Sequence, residues 1–141
     1  MIKELFLAIV LSCGPAQIFA QEWEMVDRSG IVRFVYVAPE GLKDKQFVAQ
    51  VLHAIMRKEV GLDQKTGRWR GAAQIMLFDD KRYTPRGFPM TDKQMHHYRA
   101  RYIYNPSTKF EEFAWVSVAN ATASPPKLKE TKDRIRPGIV E

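Results

Sequence analysis

The sequence predicts a single small α+β domain: a four-stranded sheet in the element order β-α-β-α-β-β, one long amphipathic helix packed on one of its faces, and a flexible C-terminal tail. Three observations carry that prediction. Two runs dense in β-branched and aromatic residues, 31–37 and 72–78, bracket one clean helical stripe over 43–60. A turn-rich connection then leads to two alternating aromatic segments, 99–104 and 110–118, separated by the turn chemistry of Asn105, Pro106, Ser107 and Thr108. Beyond Val118 the composition turns small, polar and charged.

The chain has 141 residues, 45% hydrophobic and 27% charged, which is one globular domain's worth rather than a disordered chain. Its first 20 residues read as a signal peptide. Lys3 supplies the positive end, 5–11 is the apolar segment, and the small residue Ala20 marks the expected cut. That segment is far short of the roughly 20 residues needed to span a bilayer, and no later stretch comes closer, so no transmembrane segment is expected. Cys13, the only cysteine, follows the apolar run directly, where it resembles a bacterial lipoprotein processing site and would become a lipid anchor. Cleavage after Ala20 is the preferred reading, and it removes the thiol. The mature domain, residues 21–121, then has neither a disulfide nor a thiolate available, and the location is periplasmic or secreted.

Within that domain, 21–29 reads as a charged lead-in, with Trp23 at the core edge. Residues 31–37 have no breaker until Pro39 and form the first strand, apolar enough to be buried on both faces. In 43–60, Phe47, Val48, Val51, Leu52, Ile55 and Met56 share one helical stripe, with Asp44 at the start, Arg57 and Lys58 near the end, and Gly61 as terminator. The 61–71 segment is a loop or small hairpin carrying the Arg68-Trp69-Arg70 triplet. After the second buried strand, 79–89 is irregular, punctuated by Pro85, Gly87 and Pro89. Thr91 and Gln94 then have capping-box spacing for a short helix to about Tyr98. The last two segments pair as an antiparallel hairpin that sets Arg101 across from Glu112 or diagonal to Glu111. Residues 122–141 are read as the flexible charged tail.

The net charge is +6, and residues 65–101 alone hold nine basic against three acidic residues, also a net of +6. Regional excess of this kind marks an anion-facing surface. The residues expected to bind are Arg68, Trp69, Arg70, Arg82, Tyr83, Arg86, Arg99, Arg101, Tyr102 and Tyr104, since arginine and the larger aromatics dominate interfaces. The sequence holds no matched metal-ligand spacing, glycine-rich phosphate loop or nucleophile elbow, so no cofactor and no metal are expected. These features point to a non-enzymatic binding or accessory protein of the bacterial cell envelope. Its expected partner is a protein or an anionic envelope component, with nucleic acid disfavoured. The alternative is a small periplasmic hydrolase using Asp79 or Asp80, at the end of a buried strand, with His96 or His97.

Overall fold

A computed structural model describes residues 22–141; the segment read as a signal peptide, the cut after Ala20 and Cys13 lie outside the described residues. The chain runs through β1 (Trp23–Ser29), β2 (Val32–Val37), α1 (Pro39–Leu42), α2 (Lys45–Glu59), β3 (Leu62–Asp63), β4 (Arg68–Trp69) and β5 (Ala73–Phe78). A 3-10 turn (Lys81–Tyr83), α3 (Asp92–His96), β6 (Tyr98–Asn105), β7 (Phe110–Asn120), β8 (Lys127–Asp133), β9 (Ile135–Arg136) and β10 (Ile139–Val140) follow. One sheet has the order β1-β2-β5-β6-β7-β8, with β2 and β5 parallel and the other neighbours antiparallel. Two short ribbons, β3 with β4 and β9 with β10, stand apart from it.

This corrects the expected four-stranded sheet. The fold is mainly β, built on six strands, and both additional strands lie at the sheet edges. Residues 23–29, read as a lead-in, pair along β2, and 127–133, read as flexible tail, pair along β7. The physical reason is common to both. An edge strand must discourage pairing with other chains, so it carries charge where an inner strand carries apolar residues. Three of the tail's four large apolar residues tie it down. Leu128 packs on one sheet face, Ile135 is fully buried, Val140 packs against the core beside it, and Ile139 stands on the surface.

Helix α2 forms where its stripe predicts. Asp44 accepts the Phe47 amide at 3.1 Å, and Gly61 ends the helix at φ +86°. Val48, Val51, Leu52, Ile55 and Met56 bury against Val35, Val37, Ile75, Leu77 and Tyr102. Each such side chain contributes roughly 1.5–3 kcal/mol, more than helix propensity supplies. The β9–β10 ribbon lies on the same helix, where the Gly138 amide donates to the Ala49 carbonyl at 2.7 Å.

The opposite face of the sheet has a second, smaller core of Phe34, Met76, Phe78, Tyr98 and Val116. The 79–97 connection reaches it through Met90, packed on that core, and Phe88, whose ring meets Phe34 edge-on at 5.1 Å. Its short helix starts with the expected capping box between Thr91 and Gln94. The β6–β7 hairpin closes with Asn105 opposite Phe110. Arg101 therefore faces Ala114 and reaches Glu112 diagonally at 2.7 Å, rather than lying across from it.

Candidate binding cleft

The expected binding residues do not share one surface. Arg68 and Trp69 sit on β4, whose ribbon is held by pairing of Leu62 with Trp69. Tyr104 sits near the end of β6, opposite Ala73. These three line one cleft of about 390 Å³, together with Lys109, Glu111, Arg136 and Ile139. The last four were missed in the sequence, because all of them lie outside the basic span and two lie in the segment read as tail. Trp69 is half-buried and meets His53 of α2 edge-on at 5.7 Å, which fixes its ring as one wall. Tyr104 is buried to 8% exposure and forms the floor.

The cleft's electrostatics are asymmetric. Glu111 accepts the Tyr102 hydroxyl at 2.5 Å and faces Arg136 at 3.8 Å. Burial, and then the Glu111 carboxylate, push the Tyr102 hydroxyl far above the ordinary phenol range, so it stays a donor. Arg136 is also held by the Glu141 carboxylate. Arg68 and Lys109 have no anionic partner among the described residues. Lys109 adopts φ +59°, a left-handed conformation that non-glycine residues seldom occupy, on the residue before β7.

Arg82, Tyr83 and Arg99 gather at the other end of β5. Asp79 accepts from Arg99 Nε at 2.8 Å, and its second oxygen lies 2.8 Å from His97 Nδ1. Tyr83 stacks flat on His97 with ring centres 4.7 Å apart, and the Arg82 guanidinium sits 5.4 Å from the Tyr83 ring centre. Asp80 makes no hydrogen bond to His97 among the described residues. It caps the 3-10 turn through the Arg82 amide and pairs with the Arg82 guanidinium, which lowers its carboxyl below the usual range. The Thr84 hydroxyl donates to the Asp80 carbonyl at 2.9 Å. His97 Nε2 has no protein partner among the described residues, and no group of three potential metal ligands occurs there.

Of the remaining residues, Arg101 sits on the opposite sheet face, enclosed by Glu112 and Glu130, and it holds both carboxyls below the usual range. Tyr102 belongs to the core beneath α2. Arg70 donates to the Leu62 carbonyl at 3.2 Å and braces the β3–β4 ribbon, and Arg86 is exposed in the connection. Tyr104 and Asp79 flank opposite ends of β5, whose six residues span about 17 Å at ~3.3 Å per step, too far for one small ligand to touch both. The basic span thus offers two separate surfaces, and at the Trp69 end a cleft brings Arg68 together with Lys109, neither of which has an anionic partner among the described residues. Comparison with known families, curated proteins and solved structures gives no match, so residue roles rest on this geometry alone.

Proposed function

We propose that this is a small exported binding or accessory protein of the bacterial envelope, acting without catalysis and recognising a protein or anionic envelope component through the Trp69 cleft. The observation that supports this reading most is the pairing of two uncommitted cations, Arg68 and Lys109, with an aromatic wall and floor, Trp69 and Tyr104. Cations of that kind attract an anion at long range, and the rings supply rigid contact area once it arrives. Export and the envelope setting rest on the sequence of residues 1–20.

A second reading is favoured by one specific contact. The bond from Asp79 to His97 Nδ1 orients the ring and leaves Nε2 as a candidate general base for a water, as a small hydrolase requires. The same carboxylate is shared with Arg99, and the pair clasps the end of β5 to the start of β6, which is a sufficient structural purpose. One experiment separates the readings. The immobilised full chain is exposed to the exported fraction, and the same protein is assayed for hydrolysis of the material it retains. Arg68→Glu with Lys109→Asn should abolish retention, while Asp79→Ala and His97→Ala leave it intact. Hydrolysis that disappears in the second pair would establish the enzyme instead.

A further inference from the structure

We infer that the occupant of the Trp69 cleft is a short acidic peptide segment, one carboxylate beside one apolar side chain. This rests on the reading that the cleft is a binding site at all. At about 390 Å³ the cleft is near the lower end of the ~300–1,000 Å³ range of small-ligand pockets, so it takes two or three residues rather than a folded surface.

The chemistry of the lining selects the class. Arg68 and Lys109 supply charge for a carboxylate, and Arg presents the planar fork that a carboxylate matches. Trp69, Tyr104 and Ile139 supply the surface for an apolar side chain. Glu111 decides between candidate anions. Its carboxylate stands in the same cleft and would repel a phosphate dianion or a dense polyanion, yet it can accept a backbone N–H. A peptide carries both the N–H and the carboxylate.

Ile139 of β10 lines the cleft, and the Glu141 carboxylate at its rim binds Arg136, which leaves Arg68 and Lys109 as the cations open to a ligand carboxylate. Lys109 adds an independent indication. A lysine that lines the cleft occupies a left-handed position where glycine or asparagine would fit without strain.

The test is titration of the full chain with acetyl-Leu-Glu-amide, its neutral counterpart acetyl-Leu-Gln-amide, inorganic phosphate, and a uronic acid disaccharide, followed by calorimetry and by the Trp69 indole resonance. The acidic peptide is expected to bind at least tenfold more tightly than the neutral one and to shift the Trp69 signal. Arg68→Glu and Lys109→Gly should each weaken it about tenfold, with the Lys109→Gly protein melting no lower than the parent. Equal affinity for the acidic and neutral peptides would overturn the inference, as would peptide binding unaffected by both substitutions. Binding of phosphate or the disaccharide alone, abolished by Arg68→Glu, would sink the peptide assignment while leaving the cleft reading standing. Indifference of every probe, and of retention from the exported fraction, to both substitutions would remove the two together.

Discussion

Replacing Arg101 with methionine tests whether the outer strand β8 is held by charge. The Arg101 side chain is only 14% exposed, bonded to Glu112 at 2.7 Å and to Glu130 across the sheet, and its Nη1 is buried without a partner among the described residues. Removing one member of a buried ion pair costs roughly 3–5 kcal/mol, because the remaining charge is left uncompensated. Two features here reduce that figure. Glu112 keeps Lys132 at 3.1 Å, and Glu130, 45% exposed, can turn to water. The expected loss is therefore about 2–3 kcal/mol, or a fall in melting temperature of about 10 °C for a domain of this size. Urea unfolding followed by circular dichroism supplies the stability, and amide exchange along 127–133 should accelerate first. The double variant Arg101→Met with Glu112→Leu removes both buried charges and should recover to within about 1 kcal/mol of the parent. A single variant that loses less than about 0.5 kcal/mol, or a double variant worse than the single, would refute the reasoning.

Three further outcomes follow from the same structure. Gly138 has φ +80°, and a Cβ there would lie 2.9 Å from His53 Nδ1, so Gly138→Ala should cost about 2–3 kcal/mol; in a His53→Ala background the penalty should shrink to the ~1–2 kcal/mol of the backbone alone, which a double-mutant cycle reads directly. Asp133, held by Lys45 at 2.8 Å and the Trp115 indole, has its carboxyl lowered from 3.8 to about 2. Its stabilisation is thus complete above about pH 4 and disappears as the pH falls through 2, and Asp133→Asn should flatten that limb of a stability-versus-pH curve while costing about 1–2 kcal/mol at pH 7. Lys109→Gly should raise stability by up to about 1 kcal/mol by relieving the left-handed strain, measured by thermal unfolding.

The inner elements were legible in the sequence because burial writes a strong pattern. The stripe of α2, the apolar strand β5, the capping box at Thr91 and the alternation of β6 all translate one physical demand, contact with a core, into residue spacing. The rim of the sheet obeys a different demand. Lys127, Lys129, Glu130 and Lys132 make β8 look solvated because its outer edge is solvated, and its pairing with β7 is backbone chemistry that leaves no mark on side-chain type. The same holds for the cleft. Arg68, Trp69 and Tyr104 stood out by residue type, whereas Arg136 and Ile139 arrive from more than thirty positions downstream, through a ribbon anchored by buried Ile135 and by the Gly138 amide on α2. Arg99 and Arg101 counted as cationic surface by composition, but Asp79, Glu112 and Glu130 neutralise them through contacts 11 to 29 residues apart in the chain.

The arrangement of the sheet's borders bears on how the protein is handled. A preparation clipped after Asn120 loses the charged strip that shields the long strand β7, uncovering its main-chain edge from Phe113 to Asn120. Such a fragment invites another molecule's strand into the vacant lane, and successive additions lengthen into fibrils instead of closing. Shortening this chain to what its composition marks as globular would therefore trade a discrete particle for a growing one.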